Sequence, residues 1–246
     1  MFNKKLKLKK IALLIFVLFG IVSCNKELNI TFTEFNIEMK ENTVIEINVP
    51  WAEGTTEVRD VINLKIQNHI ANIINFGEDE SDIILGDALV KFDSIYIAFK
   101  DDFEESSLAW EALIDGEVTY QSSEITCIAI NSYLNTGGAH GNMNISFLNF
   151  NSQTGELLKN DELIKNKINF IKIAEKYFNL QLQEASNENG FNDYFFGDGF
   201  QLPENIGFSD EGIILLYNVY EIAPYSEGIT EFTIPFEEML PYLKLN

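Results

Sequence analysis

Cysteine is nearly missing from this chain: there are two in 246 residues, Cys24 and Cys127. No internal disulfide framework is available, so the fold must be held by its core. Histidine is as scarce. His69 and His140 stand 71 positions apart with no cysteine beside either, a poor set of metal ligands. Basic residues are few, 17 Lys and Arg against 38 Asp and Glu, for a formal net charge of −21. Five of them (Lys4, Lys5, Lys7, Lys9, Lys10) fall in the first 23 residues, which hold no acid. The remainder carries 12 basic against 38 acidic residues, or −26. That balance excludes a nucleic-acid binder working by phosphate neutralisation. The apolar run Ile11–Val22 is twelve residues, broken by Gly20, and too short to cross a bilayer comfortably as a helix. No Gly-x-Ser-x-Gly, His-Glu-x-x-His or Walker-type sequence occurs.

What is present is a globular composition, 46% hydrophobic and 13% aromatic, enough for one large domain or two small ones. The lysine-rich start, the short apolar run and Ile21-Val22-Ser23-Cys24 resemble the signal peptide and lipobox of bacterial lipoproteins. The resemblance implies a signal peptide over 1–23, lipidation at Cys24, a tether over 24–34, and a domain anchored in the cell envelope, periplasmic or surface-exposed.

The rest reads as α+β. Ile30–Met39 and Thr43–Val49 suggest strands. Between Thr55 and Phe76 the residues Val58, Ile62, Ile66, Ile70 and Ile73/Ile74 recur every three or four positions, an amphipathic helix. Phe92–Phe99 reads as a strand. Asp115-Gly116 reads as the turn of a hairpin between Trp110–Ile114 and Val118–Tyr120. Ile125–Leu134 and Met143–Phe150 are strands around a glycine-rich turn, and Asp161–Gln183 is a second long helix. Ile213–Ile222 and Ile229–Ile234 close the strand set, and Phe236–Leu243 is a short final helix. Cys127 lies in an apolar strand and reads as a buried small hydrophobe.

Two segments carry a family likeness. Tyr133-Leu-Asn-Thr-Gly-Gly-Ala-His140-Gly141, followed by Phe147 to Gly155 and Asp161-Glu-Leu-Ile, is one. Gly207 to Gly212, Tyr217-Asn-Val-Tyr220-Glu-Ile-Ala-Pro-Tyr225-Ser-Glu-Gly228 and Phe232 to Leu240 form the other. Together they resemble the extracytoplasmic region of the lysozyme-sensing anti-sigma-V factor. They are also similar to the accessory region attached to a peptidoglycan deacetylase. The likeness covers about residues 35–246. It implies two packed mixed α/β subdomains, 35–155 and 156–246, with antiparallel-rich sheets and two long amphipathic helices. It implies no enzyme: the deacetylase activity of that relative belongs to a separate domain whose His-x-x-x-His pair is missing here. No cofactor and no metal are expected.

The binding candidates are Tyr220, Glu221, Pro224, Tyr225 and His140. Tyrosine combines a large rigid apolar face with a hydroxyl, which suits an interface. Gly137, Gly138 and Gly141 read as structural turn glycines, allowing positive φ or close packing. His69 is expected at a helix boundary or surface, and the aromatic loop Phe191–Phe196 as a lid folded on the core. The acid runs Glu78–Asp82 and Asp101–Glu105 lack the alternating ligands of a calcium loop and read as solvated. The expected function is a non-enzymatic, membrane-anchored binding module for a protein or cell-wall glycan, with a cationic, lysozyme-like hydrolase as one partner. The alternatives are an accessory or enzyme of peptidoglycan or polysaccharide modification, and a structural envelope protein.

Overall fold

The structure, a computed structural model, describes residues 30–76, 84–103, 108–184 and 194–245. The leader, Cys24, Glu78–Asp82 and Phe191–Asp193 lie outside them.

The fold is α+β, built on two sheets. The first has five strands in the order β1 (Ile30–Met39), β2 (Val44–Gly54), β3 (Glu111–Gln121), β4 (Ile125–Asn135) and β5 (Asn142–Asn151). Neighbours are antiparallel except β2 and β3, which run parallel. A parallel pair cannot be joined by a tight turn. Here the crossover runs through two helices, α1 (Thr56–Ile74) and α2 (Leu85–Asp102). The isoleucines of α1 behave as their spacing demands: Ile62, Ile66, Ile70 and Ile74 are fully buried against Ile45, Ile47, Ile114, Ile128 and Ile130 of the sheet. Each such side chain removed from water contributes about 1.5–3 kcal/mol.

The second sheet is antiparallel, β6 (Asn205–Ser209), β7 (Gly212–Tyr217) and β8 (Thr230–Pro235), with β7 central and buried along its whole length. The short helix α3 (Asn160–Leu163), the long α4 (Lys167–Glu184) and the short α5 (Phe236–Met239) accompany it. Its core is rich in aromatic rings: Phe170, Phe178, Phe208 and Tyr217 are almost wholly buried there. Strand β4 serves both cores. Ile128 and Ile130 belong to the first, Ile125 and Cys127 to the second, so the run 125–130 is buried without alternation. Cys127 is buried and free, takes the Phe208 amide hydrogen on its sulfur at 3.4 Å, and is pushed up to about 11 by burial.

The structure corrects several expectations. Strand β1 begins at Ile30, inside the stretch read as tether. Phe92–Phe99 is helix, not strand. Its aromatic and β-branched residues suggested a strand, but Leu85, Ala88, Leu89, Phe92 and Tyr96 are the buried positions, a helical period. Among the described residues there are thus three long helices where two were expected. Asp115-Gly116 is no hairpin turn but the middle of β3. A Cβ on Gly116 would stand 2.8 Å from Ile130 Cδ1 and 2.9 Å from Pro50 Cδ, so the glycine permits close packing. The helix expected from Asp161 breaks at Ile164–Asn166, where Ile164 bridges Leu243 and the Lys165 amide donates to Tyr242 O at 2.7 Å. Asn166 then opens α4, its Oδ1 accepting from the Asn169 amide at 3.2 Å. The strand expected to reach Ile222 ends at Tyr217.

Asparagine side chains close backbone edges that the sheets leave open. Asn63 of α1 accepts from Ala52 N–H at 2.8 Å and donates to Ala52 O at 3.0 Å, capping β2 beyond its pairing with β3. Asn218 does the same to Ile145 on the outer edge of β5, accepting at 2.9 Å and donating at 2.9 Å. Farther along that edge, Asn205 Oδ1 accepts from Phe147 N–H, Leu158 N–H donates to Asn149 O, and Asn151 N–H donates to Glu156 O. A buried amide that satisfies both groups of one residue replaces a missing strand partner. The bonds of Asn218 and Asn205 join the two halves of the molecule.

Candidate ligand-binding platform

The turn between β4 and β5 (Thr136–Gly141) and the segment after β7 (Asn218–Gly228) meet at the surface. On the first, Asn135 Oδ1 accepts from the Gly137 amide at 3.0 Å, and Gly137 sits at φ +83°, a conformation glycine adopts freely. Gly141 is buried, and a Cβ there would fall 2.2 Å from the Tyr133 ring, so it serves close packing. Gly138 meets neither requirement: its φ is not positive, and an added Cβ would find only ordinary contact with His140 O. Gly141 O accepts from His140 Nδ1 at 3.1 Å, which leaves Nε2 as the acceptor nitrogen of the neutral ring.

On the second segment, the Glu221 carboxylate accepts from the amides of Asn218 (2.8 Å) and Glu204 (3.0 Å). Burial raises its pKa, these two bonds oppose the rise, and the nearby Glu204 adds to it. Its oxygens are thus engaged in holding the segment. Ile222 and Ala223 are buried anchors. Pro224 is exposed and leads into a single 3-10 turn, Tyr225–Glu227, closed by Gly228 at φ +71°. Tyr220 stands at φ +67°, a left-handed conformation costing about 1–2 kcal/mol for a residue with a Cβ.

The two segments bring His140, Tyr225 and Tyr220 together. The His140 and Tyr225 rings stack with centroids 4.4 Å apart and planes 21° from parallel. Tyr220 follows at 5.5 Å and 38°. Tyr220 is 58% exposed and Tyr225 38%. The sequence nominated all three residues but gave no sign that His140 touches Tyr225. It also missed Asn218, whose grip on β5 fixes one turn against the other. The signal for it is thin: an asparagine at the end of an apolar strand.

Beside the platform lies an open cleft of about 400 Å³. His140, Thr136 and Gly138 form one wall. Ser132, Asn142 and Asn144 supply hydroxyl and amide groups, and Leu134, Ile73 and Phe76 are the apolar residues of the lining. A larger cleft of about 550 Å³ lies in the other half, between α3, the start of α4 and residues 200–206, with Asp161, Lys165, Lys167 and Glu204 in its lining. It holds none of the nominated residues. His69 is half-buried on α1, with Nε2 enclosed and without a hydrogen-bond partner. Burial lowers its pKa to about 4. Tyr194 and Phe195 fold onto the second core, while Phe196 is exposed. Among the described residues no group of three or more His, Cys, Asp or Glu is placed to hold a metal, and no helix is long and apolar enough to cross a membrane.

Two family models match the chain. One, described as Deacetylase PdaC, matches residues 37–143, and the other, a protein of unknown function called DUF3298, matches residues 156–237. The resemblance to the accessory region of a deacetylase is thereby supported for the first half. Two solved structures share the fold. A member of the DUF3298 family from Bacteroides fragilis NCTC 9343 is 20% identical with a TM-score of 0.64, over 88% of this chain and 94% of that one. A DUF3298 family protein from Pseudomonas aeruginosa PAO1 is 19% identical with a TM-score of 0.60, over 89% and 96%. At these identities the likeness is one of fold. No curated protein matches.

Proposed function

We propose that this protein is a non-enzymatic accessory module of the cell envelope, anchored through lipid on Cys24, that binds a protein or cell-wall glycan ligand. The observation that carries the reading is the His140–Tyr225–Tyr220 platform: three rings held open to solvent by a backbone that accepts strain at Tyr220. Rigid aromatic faces with polar tips are favoured binding anchors. Strain kept at an exposed residue is characteristic of ligand sites. The match of residues 37–143 to a model named for a deacetylase supports a place in cell-wall chemistry.

A second reading rests on charge. With −26 beyond the leader, the protein draws cationic proteins toward it, and a lysozyme-like hydrolase has that sign. The resemblance of the two motif segments together to the lysozyme-sensing anti-sigma-V factor, read from the sequence, points the same way.

The test is binding of the full chain, in detergent, to purified peptidoglycan sacculi and to hen lysozyme at low and at physiological salt. Retention at physiological salt that is lost in Tyr225→Ala supports the platform. Binding that fades with salt alone reduces the reading to steering by charge, and no binding to either material overturns it. Mass spectrometry of the membrane-extracted protein, beside Cys24→Ser, checks the anchor.

A further inference from the structure

We propose that the cleft beside the platform binds a neutral glycan chain bearing acetamido groups, with one sugar ring laid on Tyr225 and the next entering the cleft past His140. The inference rests on the binding-module reading and names the ligand class.

The first argument is the lining. In a chain with 38 acidic residues, the nine residues around this cleft include no carboxylate, no lysine and no arginine. The larger cleft is lined by Asp161, Lys165, Lys167 and Glu204, and a shallow third one by Glu53, Arg59 and Asp60. A site for a cationic protein or an anionic polymer would present charge of opposite sign. This one presents amides and hydroxyls, which pair with neutral donors and acceptors.

The second argument is what those groups leave free. Within the described residues the side chains of Asn142 and Thr136 make no hydrogen bond. Asn144 Oδ1 accepts only from Ser146 Oγ at 3.3 Å, so its amide hydrogens remain available. Amide donors and acceptors of this kind match vicinal hydroxyls and an acetamido group.

The third argument is continuity. His140 belongs both to the cleft wall and to the stacked pair, so platform and cleft form one surface. A sugar has an apolar ring face and polar edges. Laid on the Tyr225 ring it buries that face, and its edge hydroxyls reach toward the asparagines. The apolar lining residues, Leu134 beside Asn142 together with Ile73 and Phe76, then suit a methyl group such as that of an acetamido substituent.

The experiment is calorimetric titration of the full chain in detergent with chitotetraose, and with cellotetraose of equal length that has no acetamido group. Chitotetraose is expected to bind saturably, with an affinity changing less than about twofold as salt is raised, because the described lining holds no carboxylate, lysine or arginine. Cellotetraose should bind at least about tenfold more weakly. Asn142→Ala, Asn144→Ala and Tyr225→Ala should each weaken chitotetraose about tenfold or more, the loss of one good hydrogen bond or stacking partner. Their thermal melts should stay within a few degrees of the parent. Chitotetraose that does not bind, binds with steep salt dependence, matches cellotetraose, or binds all three folded variants unchanged overturns the assignment. If sacculi or lysozyme still bind through Tyr225 in that case, only the ligand class has failed. If nothing binds, the binding-module reading has failed with it.

Discussion

Among the aromatic clusters of the described residues, the one around Phe178 and the one around Tyr225 are built from similar residues and put to opposite uses. Around Phe178 stand Tyr194, Phe195, Phe200, Tyr217 and Phe232, at centroid distances of 5.2–5.9 Å and interplanar angles of 56–87°. Tyr194, Tyr217 and Phe232 meet Phe178 edge to face, the arrangement the ring quadrupole favours, and Phe195 and Phe200 are tilted against it. At the surface, His140 lies nearly parallel to Tyr225 at 4.4 Å. Tyr220 continues the row at 5.5 Å from Tyr225, and the two tyrosines stay 58% and 38% exposed. Exposure thus separates a cluster that stabilises from one that offers a surface: Phe178 is fully buried, whereas Tyr220 is exposed. The two histidines repeat the contrast: His69 has an enclosed nitrogen, whereas His140 is exposed on the platform.

The largest break in that comparison comes from Phe178→Ala. Emptying the hub should cost about 3–5 kcal/mol and lower the melting temperature by about 10 °C, measured by circular dichroism, with ligand affinity kept in the fraction still folded. Next is acid. The pKa of His69 is depressed to about 4 in the fold, below its unfolded value of about 6.5. Its contribution to stability is therefore complete above about pH 6.5 and is lost as pH falls from there toward 4. The expected size is about 1–3 kcal/mol. His69→Gln should flatten that part of the profile, read as the difference between parent and variant melts at pH 7 and pH 4.5. A smaller effect separates Tyr220→Ala from Tyr220→Gly. Both remove the ring and should lose binding alike, but only alanine keeps the strain. The glycine variant should be the more stable by about 1 kcal/mol in urea titrations. The smallest is Tyr225→Ala, which should change stability by about 1 kcal/mol or less while abolishing binding. If Tyr225→Ala unfolds the protein as Phe178→Ala does, the distinction between the clusters is wrong.

Much of the fold could be read from local pattern. The isoleucine spacing of α1 and the apolar runs of β4 and β5 are signals carried by neighbours in sequence, and the structure has those elements where the pattern put them. Local reading failed where a residue answers to a distant partner. Helix α2 looked like a strand because Phe92, Ile95, Tyr96, Ile97 and Phe99 favour strands, yet its burial follows a helical period set by the sheet beneath. Gly116 looked like a turn because the Ile130 and Pro50 side chains that demand a glycine lie outside its segment. The platform was half legible. Its rings stood out as a histidine among glycines and a tyrosine-rich segment, but their stacking depends on Asn218 reaching β5, which no local pattern encodes.

The same reach of Asn218 bears on how copies of this chain can associate. A sheet edge with unpaired amides and carbonyls is a template for another strand. On β5 that template is already taken at Ile145, Phe147, Asn149 and Asn151, in part by side chains that cannot themselves be extended into a ladder. Growth of the five-stranded sheet by recruiting a neighbouring chain is therefore closed on that side. It must begin at β1, the strand closest in sequence to the proposed membrane anchor.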